Sequence, residues 1–253
     1  MIKLDAEQTV HLAAQYMSAF AINFIPSRED DSHTNLGFDP VNKTLSTREF
    51  GENDCRMLFD YESFSLKIVS IETSYSLSLD GRSHFKVFDW INEKLLSLGV
   101  EKFYEYSFHY EIPYVISQDY IFKAPSSEKL TSLLSIRILA DKSLTEFLSR
   151  GGYAEEIRIW PHHFDTGAFF TFKEGLDRQM GIGLAIADDM INEPYFYAAG
   201  YDENGAIDVS DFEDLEHGHW VMNGFKGAVL KNRDLNPDRV VAFFKVAMRQ
   251  FSL

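Results

Sequence analysis

Two blocks of short strand-like runs, each bracketed by helical stretches with recognisable caps, constrain this chain more than any other feature. The first helical stretch opens at Asp5, whose carboxylate can take the free N–H groups of a first turn. Val10, Ala13, Met17, Phe20, Ala21 and Phe24 then recur at helical spacing until Pro26 stops it. A second opens near Ser83, carries Phe85, Phe88, Ile91, Leu95 and Leu98 on one face and closes at Gly99. A third begins at Ser126 or Ser127 and runs through Leu130, Leu134, Ile138 and Leu148 to Gly151-Gly152. The fourth has Asn236 as cap and Pro237 at its first position, where a missing N–H costs nothing. Val240, Val241, Phe244, Ala247, Met248 and Phe251 make its apolar stripe.

Extended runs fill the intervals: 34–39, 44–50, 56–61, 64–71 and 73–79 in the first half, then 156–160, 167–172, 181–187 and 195–201 in the second. Asn204-Gly205 reads as a hairpin turn, because both residues accept positive φ. Strands in succession, rather than in alternation with helices, predict an α+β fold of antiparallel sheets with helices packed on them. The order also invites a duplication into two similar helix–strands–helix halves, 1–109 and 126–253. Each half carries a histidine-containing polar turn before an apolar run, at Ser32-His33-Thr34 and at His162-His163-Phe164-Asp165. Residues 110–125 hold two prolines but are rich in Tyr, Ile and Phe, so they read as a crossover loop within one compact domain, 1–253.

Composition bounds the partners. The net charge is -15, a field that repels phosphate backbones and anionic lipid, so neither nucleic acid nor membrane is expected. A cation suits that charge better, and solubility alone is its simplest role. The 22 Phe and 12 Tyr suffice for a substantial core. Cys55 is the single cysteine, so no internal disulfide can form, which fits a reducing compartment. Met1-Ile2-Lys3-Leu4-Asp5-Ala6-Glu7 lacks a basic segment followed by an apolar one, and no run approaches membrane-spanning length. The expected location is the cytoplasm.

The densest polar cluster is Trp160-Pro161-His162-His163-Phe164-Asp165. Pro161 cannot donate to a sheet ladder, so a strand should break or reach an edge there. If the backbone stays extended, His162 and His163 point to opposite sides. Imidazole and carboxylate are ligands for zinc, manganese or iron, so His162, His163, Asp165 and Glu193 form a candidate set for a divalent metal, with Asp188, Asp189, His217 and His219 as further donors. The spacing has none of the regularity of a helical His-Glu-x-x-His site, and a histidine beside a proline also serves by bonding a backbone group left over from a broken ladder.

Downstream, Gly181 and Gly183 leave one face of a strand bare, against which a ligand or an aromatic ring such as Trp160 or Tyr195 can lie. Tyr195 and Tyr197 share a face by strand period, and each phenol joins an apolar body to a polar tip, which suits a small-molecule pocket or a core rim. His217-Gly218-His219-Trp220, preceded by an acidic run, reads as an exposed loop before a helix. Glu29-Asp30-Asp31-Ser32-His33 reads as a turn that could also lend Asp31 or His33 to a shared site. There is no Gly-x-Ser-x-Gly elbow, phosphate-binding Gly-Lys-Ser/Thr loop or basic aromatic patch.

These segments resemble an uncharacterised bacterial family that carries Trp-Pro-His-His-Phe-Asp, then a Gly-x-Gly strand, then Glu-Pro-Tyr-x-Tyr. The matching residues here run from Trp160 to Asp165, from Gly181 to Leu184 and from Glu193 to Tyr197, with likeness also at Asp30-Asp31-Ser32-His33-Thr34, at His219-Trp220 and at Gly227-Ala228-Val229-Leu230. Where the family tends to read Ser-Pro-Gly-Asp, this chain has Ala185-Ile186-Ala187-Asp188, which keeps the aspartate and loses the turn. The resemblance implies relatives and brings no activity with it. Two functions are therefore carried forward: binding of a small molecule or partner in a cleft lined by Trp160, His162, Tyr195 and Tyr197, or metal-dependent hydrolysis through His162 or His163 with Asp165 and Glu193.

Overall fold

The computed structural model describes residues 4–173 and 177–253. Met1, Ile2 and Lys3, where the leader reading begins, lie outside the described residues. Among the described residues no helix is long and apolar enough to cross a membrane. The fold is α+β, with antiparallel sheets and, among the described residues, four helices. The chain divides into two compact units, Met1–Ser135 with Ile159–His162, and Ile136–Arg158 with His163–Leu253. The division does not fall in the proline-bearing stretch 110–125, which belongs wholly to the first unit.

In the first unit, α1 (Ala6–Phe24) starts from a reciprocal cap. The Gln8 amide donates to Asp5 Oδ1 at 2.9 Å, and the Asp5 amide donates to Gln8 Oε1 at 3.1 Å. The sequence predicts a one-sided apolar stripe, yet every residue from 9 to 21 is buried. Tyrosines from the 104–114 stretch account for part of the difference. Tyr104 and Tyr114 donate their hydroxyls to the carbonyls of Tyr16 and Gln8 on α1, each at 3.2 Å. A helix enclosed on all sides must satisfy its polar side chains internally, which applies here to His11, Gln15 and Ser18.

The first sheet is a simple meander of β1 (Gly37–Asp39), β2 (Thr44–Ser46), β3 (Arg56–Asp60), β4 (Ser65–Val69) and β5 (Ser74–Ser78), each paired with the next. Leu45, Met57, Phe59, Leu66 and Ile68 are buried from it. α2 (His84–Ser97) is capped by the Ser83 hydroxyl and buries Val87, Ile91 and Leu95. Ile91 and Leu95 of the expected face are buried as read, whereas Phe85 stays exposed and Val87 is buried in its stead.

α3 (Ser127–Gly151) contains the first crossing between units, and β6 (Arg158–Trp160) contains the second, at Arg158-Ile159. In the second unit, β7 (Asp165–Thr171), β8 (Gln179–Ala185) and β9 (Tyr195–Asp202) form a meander. β10 (Gly205–Ala206) folds back on β9 in a hairpin whose turn lies at Glu203-Asn204, one residue before the expected Asn204-Gly205, with Gly205 at φ 105° paired to Asp202. β12 (Gly227–Lys231) then pairs with the other side of β9, and β11 (His219–Val221) with β12. The order is therefore β11-β12-β9-β8-β7. A meander on one side and an out-of-sequence order on the other give the two halves different topologies, so the likeness between their histidine turns has no counterpart in strand order.

One face of the second sheet packs Phe170, Met180, Ile182 and Phe196 against Phe147 and against Phe244 and Phe251 of α4 (Pro237–Phe251). α4 begins as read, with the Arg239 amide donating to Asn236 Oδ1 at 3.0 Å. It comes so near the sheet that a Cβ on Gly200 would stand 2.3 Å from the Phe251 ring.

Candidate functional site

The segment 160–165 begins in one unit and ends in the other, and each part is built by its own neighbours. Residues 161–164 form a turn, so the extended backbone that would send His162 and His163 to opposite faces is absent.

In the first unit, Ile159 and Leu36 exchange both backbone hydrogen bonds at 2.9 Å, which sets the strand end beside the 30–34 turn. The Pro161 carbonyl then meets α1. Gln15 donates its amide N–H to it at 2.7 Å, and His11 Nε2 lies at 2.7 Å from the same oxygen. Tyr110 donates its hydroxyl to Gln15 Oε1 at 2.8 Å and shares a hydrogen bond of 2.7 Å with the Ser18 hydroxyl, while its ring stands 5.6 Å from that of His162. Burial pushes the Tyr110 phenol upward, against the pull of its Ser18 hydrogen bond. His109 Nε2 contacts Asp31 Oδ2 at 2.8 Å, and the Asp31 carbonyl accepts from the Thr34 amide at 3.1 Å. Asp31 holds φ at 57°, a left-handed conformation that aspartate tolerates better than most residues. His33 is buried, and its Nδ1 accepts from the Arg28 amide at 3.3 Å. Trp160 and His162 are half-buried.

In the second unit, His163 is exposed and Phe164 is buried with φ at 62°. A left-handed phenylalanine costs roughly 1–3 kcal/mol and persists only where neighbours enforce it. The buried Arg137 does so from α3. Its guanidinium lies 4.3 Å from the Phe164 ring centroid, its Nη2 donates to the Phe164 carbonyl at 3.4 Å, and its Nη1 donates to Thr166 Oγ1. Asp165 follows at the start of β7. Tyr197 donates its hydroxyl to Asp165 Oδ2 at 2.6 Å. Asp165 Oδ1 and Arg137 Nε are both buried, and neither finds a hydrogen-bond partner among the described residues. The residue as a whole is half-buried, but its carboxyl oxygen is sealed from solvent. Burial raises the Asp165 carboxyl above the ordinary aspartate range, while the Tyr197 hydroxyl, His163, its own amide and Arg137 pull the other way. Burial and the adjacent carboxylate both drive the Tyr197 phenol well above its usual value.

The bare glycine face is filled from within. A Cβ on Gly183 would stand 2.7 Å from the Tyr197 hydroxyl, and one on Gly167 3.0 Å from it. The ring anticipated there was Trp160 or Tyr195, and the occupant is Tyr197. Tyr195, on the same face, donates to Asp188 Oδ2 at 2.7 Å. Glu193 is turned to other work. Arg233 donates to its carboxylate at 2.7 and 3.3 Å, and Lys231 Nζ lies 3.5 Å away, which holds that carboxyl below its usual range. His219 and Trp220 are not loop residues before a helix, because β11 places them beside β12 with His219 opposite Val229.

The structure thus brings Asp165 to Tyr197 and pairs Tyr195 with Asp188. Glu193 is held by cations instead. Among the described residues no group of three or more His, Cys, Asp or Glu side chains is arranged to hold a metal ion. Sequence reasoning missed His11, Gln15, Tyr110 and Arg137. A signal existed for three positions of α1, since His11, Gln15 and Ser18 recur at helical spacing along an otherwise apolar stretch. Arg137 gave none, because a lone arginine on a helix reads as surface. No family model, curated protein or solved structure matches this chain.

Proposed function

We propose that the protein binds a small polar molecule at the end of the Trp-Pro-His-His-Phe-Asp segment, with Asp165 as the group that receives it. One observation carries this reading: a buried oxygen of Asp165 that finds no hydrogen-bond partner among the described residues, next to a tyrosine that bonds the other oxygen. Leaving such a group unpaired costs about 1–3 kcal/mol, and more when it is charged, so its retention argues for a partner that supplies the missing hydrogen bond. The ligand carries an N–H or O–H donor, and a cationic donor suits both the carboxylate and the acidic chain.

The alternative, metal-dependent hydrolysis, has less support, since Glu193 is engaged by Arg233 and Lys231. The binding reading is tested by thermal shift with guanidinium, methylammonium and acetamide, on the wild type and on Asp165→Asn. Saturable stabilisation of the wild type by at least one compound, lost in the variant, is the expected result. Equal responses from the two proteins to every compound would remove Asp165 from any binding role.

A further inference from the structure

A second feature, away from Asp165, concerns charge. In a chain with 39 acidic and 24 basic residues, a groove of about 350 Å³ in the second unit is lined by Lys231, Arg233, Arg239, His217 and His219, with Glu216 as the one lining carboxylate among the described residues. The volume falls at the small end of the range for ligand pockets, about 300–1,000 Å³. Three separate pieces of chain deliver these groups: the loop into β11, the end of β12 with the residues after it, and the first turn of α4. Gly218 makes the first delivery. Its φ is 89°, and a Cβ there would stand 2.3 Å from the Val229 carbonyl oxygen, so only glycine lets the two histidines flank the sheet this closely.

Internal bonds occupy part of this charge. Arg233 and Lys231 share Glu193, Arg239 Nη1 donates to the Asp234 carbonyl at 3.2 Å, His217 Nε2 lies 3.9 Å from Glu216, and Asp238 sits in the first turn of α4. A guanidinium nevertheless has several N–H donors in a planar fork, and both arginines have more than these contacts use. Two guanidinium groups, an ammonium and two imidazoles around a small concavity match a compact oxyanion with several acceptor oxygens.

We infer that this groove binds a small phosphate-bearing molecule. The chain's overall charge opposes long polyanions, which limits the occupant to a small one.

The test uses the full chain and inorganic phosphate, followed by calorimetry and by the ring resonances of His217 and His219. Saturable binding is expected, with shifts at both rings, and Arg239→Gln should weaken it by about tenfold or more. Lys86→Gln, on α2, should leave it unchanged. Sodium chloride at matched ionic strength and sodium acetate serve as the other arms. If chloride moves the same resonances equally, the effect is screening and the proposal fails. If acetate binds as tightly as phosphate, the phosphate assignment fails. If Arg239→Gln does not keep its circular dichroism spectrum, His219→Gln, at an exposed position, takes its place, and undiminished binding there overturns the proposal.

Discussion

Tyr197 reaches Asp165 across two residues without side chains: its hydroxyl donates to Asp165 Oδ2 at 2.6 Å, over the space that Gly167 and Gly183 leave open. The pair sets an acid-side prediction. An unfolded aspartate titrates at about 3.9, and burial raises Asp165 above that in the fold. Below the unfolded value both states hold the proton. As pH rises toward the folded value the unfolded state releases it first, so this carboxyl makes the fold progressively less stable, and the loss is complete above the folded value. Asp165→Asn removes the titration. The stability of the variant relative to wild type should therefore rise with pH through that interval and then level off. Urea unfolding of both proteins from acid to neutral pH measures it. Taking the difference cancels Asp60 and Glu193, whose lowered carboxyls act in the opposite sense in both proteins. A flat difference would mean that Asp165 titrates alike folded and unfolded.

Tyr197→Phe removes the side-chain hydroxyl that donates to Asp165 Oδ2. It should cost about 2 kcal/mol at neutral pH and less in acid, where the carboxyl is protonated. Chemical denaturation at the two pH values checks both the size and the trend.

The glycines of β8 are not equivalent. On Gly183 a Cβ would meet the Thr166 carbonyl oxygen at 2.6 Å as well as the tyrosine, and backbone cannot yield as a side chain can. On Gly181 the nearest atom is Phe169 Cδ2 at 3.4 Å, an ordinary contact. Gly183→Ala should lose about 1–3 kcal/mol, and Gly181→Ala should stay within about 0.5 kcal/mol of wild type. Thermal melts of the two variants decide it, and equal melting temperatures would refute the close approach.

Gln15 joins the buried helix to the proline of the motif. Gln15→Leu preserves helix propensity and apolar fit but removes one donor to the Pro161 carbonyl and one acceptor from Tyr110. A loss of about 1–3 kcal/mol in urea unfolding is expected. No change would show that His11 and Ser18 satisfy those groups alone.

Cys55 is buried, and its thiol is pushed up to about 11. Thiolate is the reactive form, so at neutral pH the folded protein should react with a disulfide reagent on the order of a hundredfold more slowly than free cysteine. Urea should restore the rate. Rapid labelling of native protein would place this sulfur at the surface.

Helix starts were legible because they are local chemistry. Asp5, Ser83 and Asn236 each cap as their neighbours predict. Strand runs were legible for the same reason, apart from β11 and β12, whose few residues follow an acidic loop that masks their period. On α2, Ile91 and Leu95 were legible, but the start of the buried face was not, because Phe85 and Val87 are both apolar and only tertiary packing chooses between them. At the motif, the sequence marks Asp165 and Tyr197 but cannot pair them, since the pairing depends on sheet register thirty-odd residues apart. The turn at Phe164 was illegible: no local rule places a phenylalanine at positive φ, and it is Arg137, from a distant helix, that holds it there.

Neither unit is a continuous length of chain. Ile159–His162 belong to the first while the residues on both sides belong to the second. A cut at any single peptide bond therefore cannot part the two cleanly: a fragment that holds all of one unit also carries a stretch of the other.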